Sequence, residues 1–185
     1  MKLIYNRFSI LIASLCLSFF VVTPVFSGQP ETVKLVIKDE GESPKFEYID
    51  DINETRTPDF SKHKLTAVHF WATWCVPCID ELPMVDDTQD ILRGAKMIGG
   101  DDFKVIAIAI DGHNMSKVKL FFHDKKITHL DAYIDPTQKT PKLAKLPGLP
   151  GTLFVNSKGI IVARANGPLD WQSPEVQKFL KSQLK

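Results

Sequence analysis

Cysteine is scarce in this chain: three occur in 185 residues, and one of them, Cys16, sits in an apolar stretch near the N-terminus. That excludes a small scaffold stapled by several disulfides, which needs many bridges in a short chain. An excess of either charge is also missing. Lys and Arg number 23 against 22 Asp and Glu, for a net charge of +1, so no broad basic field argues for nucleic acid. Histidines with metal-ligand spacing are lacking, because His113, His123 and His129 are dispersed around or beyond one helix. There is no internal repeat, no low-complexity tract and no sign of a second domain.

What the chain does contain is the composition of a soluble globular protein, 44% hydrophobic and 24% charged. The length accommodates one compact domain with a leader ahead of it. Residues 1–27 carry that leader. Lys2 and Arg7 form a short basic region without acid, an apolar run follows from Ser9 to Val22, and Pro24 leads to Val25-Phe26-Ser27. This is the pattern of a secretory signal peptide cleaved after Ser27. An uncleaved anchor is the alternative, since the run from Phe8 to Phe26 is just long enough to span a bilayer. Cys16 is a poor lipid-attachment site, because Leu15 stands where a small residue is expected. The sequence therefore predicts a periplasmic protein, or one anchored in the inner membrane and facing the periplasm.

The mature chain then has only Cys75 and Cys78. Two residues between cysteines close too short a loop to stabilise the fold much. Reactivity explains the pair better than structure does.

Two short strand-like runs, Val33–Ile37 and Lys45–Ile52, belong to an N-terminal extension over 28–64, and Asn53–Pro58 reads as loop. The core, 65–185, begins with Leu65–Trp71, an apolar and β-branched run suited to a central strand. Pro77 to Leu92 reads as a helix with Leu82, Val85 and Leu92 on one face and a kink near Pro83. Arg93–Asp102 reads as a glycine-containing loop. Phe103–Ile110 is continuously apolar, as expected of a strand buried on both faces. A helix over Ser116–His123, a strand at Asp131–Ile134 and a helical turn at Pro141–Lys145 follow. Thr152–Val155 and Ile160–Ala165 make a hairpin across Asn156-Ser157-Lys158-Gly159. Ser173 caps a last helix with Pro174 at its first position. The order predicts an α/β fold with a mixed central sheet and helices on both faces.

Between the first buried strand and its helix lies Trp74-Cys75-Val76-Pro77-Cys78. At a helix N-terminus, Cys75 meets unpaired backbone N–H groups and the positive end of the dipole. Lowering a thiol pKa from about 8.5 to about 7 raises the thiolate fraction at neutral pH roughly fifteen-fold. That shift needs about 2 kcal/mol, the upper limit of what a helix terminus supplies, so the second sulfur must contribute.

Phe70-Trp71-Ala72-Thr73-Trp74-Cys75-Val76-Pro77-Cys78, followed by Glu81-Leu82-Pro83, resembles the active-site stretch of TlpA-like reductases in the thioredoxin family. Gly148-Leu149-Pro150-Gly151-Thr152 resembles the cis-proline loop of that family, and Gly167-Pro168 to Trp171 a later segment of the same branch. The resemblance spans Leu65 to the C-terminus and implies a thioredoxin-like fold. It implies that Cys75 is the exposed nucleophile, that Cys78 is the buried resolving thiol, and that the two form a redox-active disulfide. It also implies that Pro150 is cis and faces the pair, leaving the Leu149 backbone free to bind an extended substrate. Trp74 and Pro77 join Leu149 and Pro150 as substrate-facing residues, while Trp71 is packing.

Glu81 keeps two readings. The resemblance makes it a candidate acceptor for the Cys78 proton; alternatively it only stabilises the early turns of a helix. A carboxylate beside the thiols would also oppose thiolate formation. His69 lies six residues before Cys75, where TlpA-like members usually carry a polar residue. It is either a proton shuttle or a packed, hydrogen-bonded side chain.

The implied activity is reduction of disulfides in exported proteins, such as apocytochrome c or copper-site assembly proteins, with electrons from a membrane thiol donor. No cofactor and no metal are implied, since the sulfurs carry the two electrons. The rival within the same chemistry is net oxidation or isomerisation, and Pro77 directly before Cys78 favours reduction. A Cu(I) chaperone is a further alternative, because two thiolates suit that ion. A peroxidatic site is disfavoured: Ala72 stands three residues before Cys75, where that pattern needs Thr or Ser.

Overall fold

Seven consecutive residues, Leu65–Trp71, are buried and form the centre of the sheet. The computed structural model describes residues 32–94 and 102–185. The leader and most of the predicted Arg93–Asp102 loop lie outside the described residues. In chain order the strands are β1 (Val36–Ile37), β2 (Tyr48–Ile49), β3 (Thr55–Arg56), β4 (Leu65–Trp71), β5 (Phe103–Ala109), β6 (Tyr133–Ile134), β7 (Gly151–Asn156) and β8 (Ile161–Ala165). The helices are α1 (Val76–Gly94), α2 (Met115–Lys125), α3 (Thr140–Leu143) and α4 (Pro174–Gln183).

Among the described residues the eight strands make one sheet in the order β1-β8-β7-β4-β5-β6-β2-β3. β4 pairs in parallel with β5, from Leu65 opposite Phe103 to Trp71 opposite Ala109, and antiparallel with β7, from Leu65 opposite Asn156 to Phe70 opposite Gly151. β5 continues in parallel to β6, and the other pairs are antiparallel. The sheet is mixed, as the order of elements predicted.

The two parallel crossovers run in the same direction across the sheet, so α1 and α2 fall on the same face. Leu82 and Val85 of α1, Val118 and Phe122 of α2, and Val176, Phe179 and Leu180 of α4 share a core with Leu65, Ala67, Trp71 and Phe154. Strand alternation sends Val68, Phe70, Ile106, Ile108, Leu153 and Val155 to the opposite face, where Phe46, Tyr48 and Ala144 cover them. Helices do cover both faces; among the described residues the second is served by the short α3 and by a 3-10 turn at Phe60–Lys62.

Buried polar side chains tie the layers together. Gln89 of α1 accepts from the Val105 N–H of β5 at 2.6 Å, and Asp86 accepts from the N–H groups of Thr128, His129 and Leu130. The bonds from the Val105 and Leu130 N–H groups each spare a buried donor a cost of about 1–3 kcal/mol.

Several boundaries differ from the sequence expectation. The two N-terminal strands shrink to two residues each, and the expected loop Asn53–Pro58 contains β3. Asp50 turns the chain there, accepting from Ile52 and Glu54 N–H groups, with Asn53 at φ 65°. A polar two-residue strand carries no alternation for a sequence reading to detect. α1 continues through Pro83 to Gly94, and α2 runs from Met115 to Lys125, capped by Asn114 and closed by left-handed Lys126. α4 starts as predicted, with the Ser173 hydroxyl accepting from Val176 N–H at 3.3 Å.

Candidate active site

Cys75 immediately precedes α1. Its carbonyl accepts from Ile79 N–H at 3.0 Å, and its own N–H donates to Ala72 at 3.1 Å. It therefore occupies the start of the helix, with the free N–H groups of the first turn around it. Cys75 and Cys78 are joined in a disulfide. Cys75 retains 6% of its surface and Cys78 none, whereas the flanking Trp74 and Val76 are 63% and 67% exposed. The nucleophile implied to be exposed thus shows only a narrow edge. It packs into the same core cluster as Ala72 and Leu82, and its two neighbours form the protruding rim.

The turn ahead of Cys75 is held from β5. Where β4 and β5 end side by side, Ile110 N–H donates to the Trp71 carbonyl at 2.9 Å. One residue further, the Asp111 carboxylate accepts from the Thr73 N–H at 2.9 Å and from the Thr73 hydroxyl, while Lys117 of α2 pairs with it at 3.1 Å. Trp71 stacks on Phe122, ring centroids 5.6 Å apart, and contacts Phe121 at 5.1 Å. Sequence reasoning missed Asp111. An Asp-Gly step at the end of a buried strand neighbouring the cysteine strand was the available signal.

The Leu149–Pro150 peptide is cis. Gly151 follows as the first residue of β7 and lies opposite Phe70, so the loop emerges at the end of the sheet where the cysteine turn begins. A Cβ on Gly151 would meet Leu146 Cδ1 at 2.9 Å, so a larger residue there would have to displace the Leu146 side chain. Leu149 is half-buried and packs against the cores of both faces, and Pro77 is half-buried in the first turn of α1.

Glu81 follows Cys78 by three residues on α1, a spacing that sets side chains about 5–6 Å apart at Cβ. It is 2% exposed, and the Trp171 indole N–H donates to its Oε1 at 2.5 Å. Burial pushes its pKa up to about 8, against the opposing effects of that hydrogen bond and one from the Leu169 backbone. The consequence is twofold. Near neutrality the carboxyl is mostly uncharged and barely repels a neighbouring thiolate. Its affinity for a proton also matches that of an ordinary thiol, which favours transfer between them.

His69 is fully buried in β4. Its Nδ1 lies 2.9 Å from the Thr152 hydroxyl of β7, and its ring meets Trp171 edge-on at 6.0 Å. Burial lowers its pKa to about 3, so the ring is neutral at physiological pH. The packed reading of His69 is the one that its surroundings favour. Among the described residues, no three His, Cys, Asp or Glu side chains group so as to hold a metal ion.

A sequence model of the AhpC/TSA family matches residues 40–164. The chain belongs to the AhpC/TSA family. Within this family, Ala72 still stands where the peroxidatic pattern needs a hydroxyl. The relatives it is similar to are named as thiol-disulfide oxidoreductases. The chain is 29% identical to the thiol-disulfide oxidoreductase ResA of Oceanobacillus iheyensis over 102 residues, 55% of this chain and 49% of that protein. It is 26% identical to the sporulation thiol-disulfide oxidoreductase A of Bacillus subtilis, over 59% of this chain and 63% of that protein. These matches span about half to under two thirds of those relatives. A longer match, 23% identical, covers 90% of this chain and 86% of the ResA of Bacillus subtilis. Among solved structures, the DsbE-type thiol:disulfide interchange protein of Chlorobium tepidum superposes with a TM-score of 0.66 at 19% identity, covering 80% of this chain and 99% of that one. This likeness establishes the thioredoxin-like fold of this AhpC/TSA member, and the relatives bear out the resemblance to the thiol–disulfide oxidoreductase branch.

Proposed function

We propose that the chain is a thiol–disulfide oxidoreductase that reduces disulfides of exported proteins. The asymmetry of the cysteine pair carries this reading: one sulfur at a helix start keeps an exposed edge, and the other is wholly buried beside a carboxyl of raised pKa. Relatives named for the same exchange support it.

In the reduced protein the Cys75 thiolate attacks one sulfur of a client disulfide. A mixed disulfide forms and the first client thiolate leaves. Cys78 then gives its proton to Glu81 in the fraction of molecules in which that carboxyl is ionised, a fraction that grows as pH approaches 8, and its sulfur attacks Cys75 Sγ. The second client thiolate leaves as the Cys75–Cys78 bond closes. The client gains two electrons and the protein loses two; a membrane dithiol donor restores the starting state. This reading assigns the client backbone to Trp74, Pro77, Leu149 and Pro150. Apocytochrome c and copper-site assembly proteins are the client classes that this reading favours. The basic and apolar N-terminal segment supports a periplasmic site of action.

Trapping tests the reading. A Cys78→Ser variant should accumulate mixed disulfides through Cys75 with exported proteins, and capture of none would count against exchange. The direction is tested separately: a reduction potential above about −150 mV would place the protein among net oxidants.

A further inference from the structure

We infer that α3 and the chain leading from it into the cis-proline loop form a docking surface for an acidic polypeptide segment. The identity of the partner, a disulfide-bearing client, rests on the function proposed above; the chemistry of the surface does not.

A four-residue helix is too short to hold itself together, yet α3 is fixed at both ends by buried charged side chains. Asp135 is fully buried and accepts from the N–H groups of Thr137 and Thr140, each at 2.8 Å. At the other end Arg164 of β8 donates from Nη1 to the carbonyls of Ala144 and Lys145, at 3.4 and 3.3 Å. Its remaining nitrogens pair with Glu40. Thr140 and Ala144 point inward, which leaves Lys139, Lys142, Leu143 and Lys145 outside, with Leu143 53% exposed.

The charge of this segment is unbalanced. From Pro136 to Leu169 there is no Asp or Glu, while Lys139, Lys142, Lys145, Lys158 and Arg164 all fall within it. Lys62, Lys64, Lys104, Lys117 and Lys119 each pair with an aspartate. The three lysines of α3 and its exit have no such partner among the described residues. The segment is also well placed. β6 ends at Ile134 opposite Ala109, and β7 begins at Gly151 opposite Phe70, so both ends of the connection lie where the Cys75 turn emerges. A rigid surface carrying three uncompensated ammonium groups around an exposed leucine suits an acidic segment with an apolar side chain among its carboxylates. Fields of this kind raise association rates by about 10- to 1,000-fold at low salt.

The test uses two fluorescein-labelled peptides, each with one disulfide, flanked by Glu in one and by Gln in the other. Binding is read by anisotropy and reduction by thiol release, at low and at physiological salt. The K139Q/K142Q/K145Q variant should lose about tenfold more association rate with the Glu-flanked peptide than with the Gln-flanked one. A matched K178Q/K181Q/K185Q variant on α4 and the C-terminal residue removes the same charge elsewhere and should behave as the parent. Equal losses in both triples, or none in either, would overturn the inference. So would loss of binding to phosphatidylglycerol vesicles in the α3 triple without a change toward the peptide. If the parent reduces neither peptide, the proposed function fails, and the anisotropy comparison still decides the docking surface.

Discussion

The Trp171 indole N–H donates to Glu81 Oε1 at 2.5 Å, joining the turn before α4 to the second turn of the cysteine helix across ninety residues of sequence. With the hydrogen bond from the Leu169 backbone, it holds a buried carboxyl one helical turn beyond Cys78. Trp171→Phe keeps an aromatic ring but removes the donor, together with the volume of the second ring. The Glu81 pKa, which that donor restrains, should rise further, and the exchange rate against pH should shift to the alkaline side. Thermal unfolding should show a loss of about 1–3 kcal/mol. An unchanged pH profile would leave Trp171 a packing residue only.

Glu81 should also make stability depend on pH. Its pKa rises from 4.5 in the unfolded chain to about 8 in the folded one, so the folded state holds the proton more tightly. The stability this group contributes is complete below pH 4.5 and is lost as pH climbs toward 8. Glu81→Gln has no proton to lose. In the oxidised protein it should flatten that decline, with a gain over the parent on the order of 4 kcal/mol near pH 8. Denaturant unfolding at pH 5 and pH 8 measures it. The same variant should slow the release of client from a Cys75 mixed disulfide, and equal release rates would remove Glu81 from the proton transfer.

His69 acts in the opposite direction. Its pKa falls from 6.5 unfolded to about 3 folded, so its contribution is complete above pH 6.5 and is lost as pH drops toward 3. His69→Asn retains a polar partner for Thr152 without a titrating ring. Its stability should fall less steeply than that of the parent between pH 6 and pH 4, measured by urea unfolding.

The sequence made the central elements legible because their signals are local. Leu65–Trp71 is a strand to the residue, and Ser173-Pro174 starts α4 as capping chemistry predicts. Cys75 and Cys78 lie at the start of a helix, and the proline after Leu149 is cis. What was not legible is long-range. No periodicity links Trp171 with Glu81, Asp111 with Thr73 or Arg164 with the exit of α3; those contacts exist only once the sheet brings distant strands together. The small exposed fraction of Cys75 was hidden for the same reason, since burial depends on what packs around a turn.

Asp111 offers a prediction about positioning. Asp111→Ala removes the acceptor for the Thr73 N–H and hydroxyl and leaves Lys117 without its partner. The variant should lose about 1–3 kcal/mol of stability. Alkylation of reduced Cys75 should also change its pH midpoint, because the turn no longer fixes the sulfur against the helix N-terminus. Asp111→Asn, which keeps an acceptor oxygen, should restore most of the midpoint. A midpoint that stays put in Asp111→Ala would make the contact purely structural.

The outermost strands of the sheet, β1 and β3, are two residues long. Among the described residues, an extended polypeptide seeking to add itself as a further strand finds a stub on either flank, one of them occupied by Arg56 in its ion pairs with Asp50 and Glu54. On the function proposed above, which brings the protein into contact with extended clients, such short flanks offer little to zip onto, and backbone pairing is assigned to the loop beside the sulfurs.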